Sequence, residues 1–218
     1  MPVYETARAN MVESQIRPNK VTDERVIAAF AQVRRELFVP ERLRGVAYAD
    51  EDLPLGGGRY LMRPMVAARL LQAAAIQRGD AVLVAGAGTG YEAAVAALLG
   101  RSVIALEDNG ELARLGRSAL VEHRIAAVSF VESPSRQGHR ARAPYDAIVF
   151  AGAVADVPEE VTEQLGEGGR LVAVVRPDDA VGRAVLITRT GGILGRRAIF
   201  DAATPVLPEF AAKPAFVF

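Results

Sequence analysis

The chain has 218 residues but no cysteine, no tryptophan and only two histidines, His123 and His139. Without cysteine there is no disulfide, no thiol nucleophile and no thiolate ligand, a composition that suits a reducing cytoplasm. Two isolated histidines cannot build a His-rich metal centre, so each is read as a surface or loop residue and no metal is expected. Excess charge is missing as well. Lys+Arg and Asp+Glu number 26 each, which leaves no field to draw nucleic acid or anionic lipid. No apolar run approaches the length of a membrane span, and Met1-Pro-Val-Tyr-Glu-Thr6 lacks the basic and apolar regions of a secretion signal. The expectation is a cytoplasmic protein with neither nucleic acid nor membrane as partner; a monomer is favoured.

What the chain does have is apolar surface to bury: 50% of its residues are hydrophobic, enough for a full core at this length. Residues 3–16 and 22–38 read as helices. In the second, Val26, Ile27, Phe30, Val33 and Leu37 recur at helical spacing, Thr22 is the expected N-cap, and Pro40 closes the unit. From Tyr48 to Pro64 the chain turns acidic and then glycine-rich, which reads as a loop. Pro64 suits the first turn of a helix reaching about residue 76. Strands are then predicted at 81–85, 102–107, 128–131, 146–151 and 170–175, with helices at 90–99, 110–123 and 158–165. Alternation of this kind implies βαβ units and a mainly parallel sheet. Apolar runs at 183–189 and 194–200, joined by Thr190-Gly191-Gly192, signal a closing antiparallel hairpin. The adjacent acids Asp178-Asp179 and Glu159-Glu160 read as solvated charges.

The chemistry is concentrated in Ala81-Val-Leu-Val-Ala-Gly-Ala-Gly-Thr-Gly-Tyr91 and in the acid that follows the next apolar run, Glu107. A strand feeding three alternate glycines and then a helix makes a turn whose bare backbone a ligand can approach. An acid at the end of the next strand, about 20 residues on, is placed to accept a ribose hydroxyl pair. The dinucleotide fingerprint needs glycine at position 91, which is Tyr, and no P-loop lysine follows Gly90. The tighter G-x-G-x-G spacing resembles S-adenosylmethionine-dependent methyltransferases of the Rossmann-like class. Ala85, Gly86, Ala87, Gly88, Gly90, Tyr91, Glu107, Asp108 and Ser133 are the candidate cofactor-binding residues. The expected fold is accordingly a class I methyltransferase α/β fold: a mainly parallel seven-stranded sheet with a C-terminal antiparallel hairpin and an N-terminal helical segment. One domain over 1–218 is expected, with helices and a substrate-side loop in 1–63 and the cofactor-binding core in 64–218.

Beyond the glycine turn, the chain resembles the protein-L-isoaspartate O-methyltransferases. Asp23-Glu-Arg-Val-Ile-Ala-Ala-Phe30 and Arg35-Glu-Leu-Phe-Val-Pro-Glu41 look like that family's N-terminal helices. Ala47-Tyr-Ala-Asp50 and Leu53-Pro-Leu-Gly56 match the approach to its active-site loop; Ala143-Pro-Tyr-Asp-Ala-Ile-Val149 and Glu163-Gln-Leu-Gly-Glu-Gly-Gly-Arg-Leu-Val172 match later strands. The resemblance covers about residues 11–190. It implies S-adenosylmethionine as cofactor and methylation of isoaspartyl carboxylates in damaged proteins or peptides, with Tyr60, Met62 and Arg63 lining the acceptor side. The chain also departs from the pattern. Met62 stands where the family has a serine thought to orient the substrate carboxylate, and a thioether donates no hydrogen bond. Arg59 or Arg63 could grip that carboxylate instead. Val84 and Pro134 replace two acids that hold the cofactor, leaving Glu107 as the retained anchor. Two alternatives stay open: a methyltransferase with a small-molecule acceptor, and a non-catalytic relative that keeps the fold as a binding module.

Overall fold

A computed structural model describes residues 2–177 and 181–211, so Asp178-Asp179 lies outside the described residues. After α1 (Pro2–Met11), a π turn (Val12–Ile16) and a 3-10 turn (Arg17–Asn19), α2 runs over Glu24–Gln32. Its N-cap is Asp23, whose carboxylate accepts from the Arg25 amide at 2.8 Å, one position beyond the expected Thr22. The helix predicted to run to residue 38 breaks at Val33, which is extended and fully buried. Short 3-10 turns follow at Arg35–Phe38 and Glu41–Val46. The break lets Arg35 turn inward, where its guanidinium donates to the carbonyls of Ala47 and Met62, each at 2.7 Å. A tertiary demand has overridden the helical period.

The region read as a loop holds a small antiparallel hairpin, β1 (Leu53–Gly56) and β2 (Arg59–Leu61). Gly57 and Gly58 both take positive φ at its turn, which only glycine adopts freely. Then α3 (Pro64–Ala74) leads into the main sheet: β3 (Ala81–Ala85), β4 (Ser102–Leu106), β5 (Val128–Val131), β6 (Tyr145–Val154), β7 (Leu165–Val175), β8 (Arg183–Thr190) and β9 (Ile193–Asp201). Between the early strands lie α4 (Tyr91–Ala97) and α5 (Gly110–His123), with the short α6 (Glu159–Thr162) before β7.

The strand order is β5-β4-β3-β6-β7-β8-β9. Strands β3 to β7 pair in parallel; β8 and β9 are added antiparallel, as the terminal hairpin predicts. Strand β3 is central, with Leu83 opposite Ile104 on one side and Ile148 on the other. Covered on both faces, it is apolar without alternation. Its successive side chains feed two cores. Val82 and Val84 pack with the N-terminal helices, α3 and α4, whereas Leu83 and Ala85 pack with Phe150, Leu171, Leu207 and Phe210. The segment after β9 returns across the sheet. Leu207 donates its amide to Ala153 O (2.8 Å), and the Ala153 and Ala155 amides donate to Pro205 O and Phe210 O.

Candidate functional site

The turn after β3 has the conformation the sequence predicts. Gly86, Gly88 and Gly90 have φ of 65°, 55° and 82°, values an L side chain rarely adopts. Glu107 follows β4 directly and is completely buried. Its Oε2 accepts from the Gly88 amide at 2.7 Å and its Oε1 from the Asn109 amide at 2.9 Å, so the acid and the glycine turn form one unit. The turn and acid lie at the carboxyl ends of the strands where the chain, having run outward from β3 to β5, returns with β6 on the other side. Ligands of open α/β sheets bind at such a switch point.

Arg59 occupies this place. Only 3% exposed, it projects from β2, and its Nε donates to both Glu107 oxygens at 3.1 Å. One Nη reaches Asp108 at 2.7 Å and Glu209 at 2.9 Å, and the other bonds Glu209 as well. One guanidinium thus meets three carboxylates. Burial pushes the Glu107 carboxyl upward, against the downward pull of Arg59 and of the Asn109 and Gly88 amides. Apolar groups close the rest of the face. A Cβ added at Gly86 would stand 2.5 Å from Leu207, one at Gly88 3.2 Å from Leu55, and one at Gly90 2.6 Å from Phe130.

Several expected site residues lie elsewhere. Tyr91 is fully buried on the far side of the turn, edge-on to Phe30 and Phe38, with the Arg35 guanidinium 4.8 Å above its ring. Its side chain is core; only its place at the start of α4 belongs to the turn. Met62 is also core, 1% exposed, so its thioether does not line an acceptor surface, although its carbonyl is held by Arg35. Tyr60, 38% exposed, points outward from the hairpin. Arg63 is engaged with Asp52 at 3.3 Å, and Asp52 also accepts from the Arg63 amide and Thr204. Arg59, considered for the acceptor, faces Glu107 instead. Ala85 and Ala87 are buried in the walls of the turn, and Asp108 is brought to the site through Arg59. Ser133 is half-buried, while Ser135, two positions on and not among the candidate site residues, is fully buried and accepts from the Gly86 amide at 3.0 Å. Val84 is interior and Pro134 exposed. Leu207 and Glu209 were also missed, since no spacing links them to residues more than a hundred positions earlier.

This sheet order, with a glycine turn after the central strand and an acid ending the next, defines a Rossmann-like methyltransferase fold. Comparison with known proteins agrees. The chain belongs to the protein-L-isoaspartate(D-aspartate) O-methyltransferase family, whose model matches residues 6–194. It is 40% identical over 209 residues to the protein-L-isoaspartate O-methyltransferase of Koribacter versatilis, covering 95% of this chain and 94% of the relative. To that of Methanoculleus marisnigri it is 39% identical over 186 residues, 85% and 84% of the two chains. Among solved structures, a protein-L-isoaspartate O-methyltransferase superposes with a TM-score of 0.80 at 24% identity, over 94% of this chain and 67% of that one. A putative member from Plasmodium falciparum, in complex with S-adenosyl-L-homocysteine, gives 0.77 at 19% identity, over 94% and 98%.

Proposed function

We propose that the protein transfers a methyl group from S-adenosylmethionine to the carboxylate of isoaspartyl residues in proteins or peptides, in the cytoplasm. Family membership over residues 6–194 carries this reading, and the site fits it by donor type. Glu107 is the carboxylate for a ribose hydroxyl pair. The positive-φ glycines 86, 88 and 90 present bare backbone to a ligand once the side chains that cover the turn, Leu207, Leu55 and Phe130, move aside. The cofactor supplies, when bound, a methyl group on a positively charged sulfur. The acceptor carboxylate is already ionised at neutral pH and needs no base. The protein's task is therefore to position the carboxylate in line and to exclude water. With Met62 in the core, the residues available to meet the acceptor are Tyr60 on the outer face of the hairpin and Arg63, provided Arg63 can leave Asp52. A second reading, a non-catalytic relative, is favoured by one observation: Arg59 and Leu207 stand where the ligand would.

Radiolabelled methyl transfer to an isoaspartyl peptide, with the normal aspartyl peptide as control, separates the two. The expected result is isomer-selective labelling. A folded protein that labels neither peptide would overturn the enzymatic reading in favour of the binding module.

A further inference from the structure

Resting on the assignment of the glycine turn and Glu107 as the cofactor site, the geometry points to a plug built from this chain's own residues: Arg59 and the C-terminal strap 204–210 hold the cofactor cleft shut and must lift for the cofactor to enter.

Four observations converge. First, both Glu107 oxygens are taken, Oε1 by Asn109 N and Arg59 Nε, Oε2 by Gly88 N and Arg59 Nε. Two ribose hydroxyls cannot donate to it unless the guanidinium leaves. Second, the Leu207 side chain lies over Gly86 and Gly152, where an added Cβ would come within 2.5 and 2.7 Å of it. The space the glycines keep clear of their own side chains is filled by a leucine from the strap. Third, the strap crosses the carboxyl ends of β3 and β6, held by a parallel bridge between Ala153 and Val206 and by the Phe210 ring, edge-on to Phe150 at 5.3 Å. Fourth, the hairpin and the strap are tied to each other. Glu209 grips Arg59 with both oxygens and Thr204 donates to Asp52 at 3.0 Å; Arg136, from the turn after β5, fixes the strap further by donating to the Glu209 carbonyl at 3.2 Å. Glu209 is thus the latch: it is the strap's own carboxylate and it fixes the guanidinium that covers Glu107.

A cleft that is open only part of the time binds with an apparent dissociation constant raised by the reciprocal of the open fraction. Loosening the latch therefore tightens binding. The test is titration calorimetry of the full-length protein with S-adenosylhomocysteine, comparing wild type, Arg59→Gln and Glu209→Gln, with thermal melts to show that each is folded. Both variants are expected to bind about tenfold or more tightly than wild type. Hydrogen exchange of wild type with saturating S-adenosylhomocysteine gives a second readout. The amides of Ala153, Leu207 and Phe210 should exchange faster in the complex while those of the glycine turn slow down, and this measurement decides alone if a variant fails to fold. Equal affinities, with strap amides as protected as before, would overturn the plug and leave the cofactor assignment standing. Weaker binding by both variants would make Arg59 and Glu209 cofactor contacts and overturn the plug as well. No binding by any of the three folded proteins would remove the plug and the cofactor assignment together.

Discussion

Glu92 stands in the first turn of α4, 2% exposed, with one carboxyl oxygen lacking a partner. Burial pushes its pKa up to about 7 from an ordinary 4.5, against the opposing pull of Arg35. The unfolded chain releases this proton near pH 4.5 and the folded chain near 7, so folding takes up a proton between those values. Stability therefore falls as pH rises through that window and is level above it. The cost of ionising Glu92 in place is about 3 kcal/mol at pH 8. Glu92→Gln should recover a large part of it at pH 8 and little below pH 5. Urea melts at the two pH values check this; a stability gain of equal size at both would show that the carboxyl is not titrating in the folded protein. Residues such as Glu92 mark the limit of what a sequence discloses. The positive φ of Gly86, Gly88 and Gly90 and the placing of Glu107 follow from local spacing and were legible. The role of Arg59 was not, because its partners Glu107 and Glu209 lie 48 and 150 positions away.

At the scale of elements, the alternation from β3 to β7 and the β8–β9 hairpin were readable because each depends on its own run of apolar residues and its own turn. The β1–β2 hairpin was hidden by an acidic, glycine-rich composition that reads equally as loop. The break in the second predicted helix was hidden because its cause, Arg35, acts at a distance. That arginine joins three elements: it projects from the 3-10 turn at Arg35–Phe38, bonds Ala47 at the end of the next 3-10 turn, and bonds Met62 between β2 and α3. Arg35→Met leaves two buried carbonyls unpaired and removes the cation beside Glu92. The expected loss is about 3 kcal/mol or more, seen in urea as a lower midpoint with an unchanged slope. A loss below about 0.5 kcal/mol, the level of an ordinary surface substitution, would show that water replaces the guanidinium without cost.

Over the whole molecule the sheet is covered unequally. Among the described residues, one face carries the N-terminal helices, α3, α4 and α5, while the other relies on the short α6, the 3-10 turns and the returning strap, whose Leu207 and Phe210 complete the second core. The strap therefore does two things that pull in opposite directions: it finishes the core and it covers the glycine turn. Phe210 is 1% exposed and edge-on to Phe150, but it touches neither Glu107 nor the turn in the contacts described. Phe210→Ala removes its ring from the core, at a cost of about 3 kcal/mol, within the range usual for such a truncation. At this chain length that corresponds to a fall of roughly 6–12 °C in Tm. If the strap competes with the cofactor, the same substitution should bind S-adenosylhomocysteine more tightly, because less apolar burial is lost when the strap lifts. Stability and affinity then move in opposite directions. Parallel thermal melts and titrations measure both, and a destabilised Phe210→Ala protein with wild-type affinity would reduce the strap to packing alone.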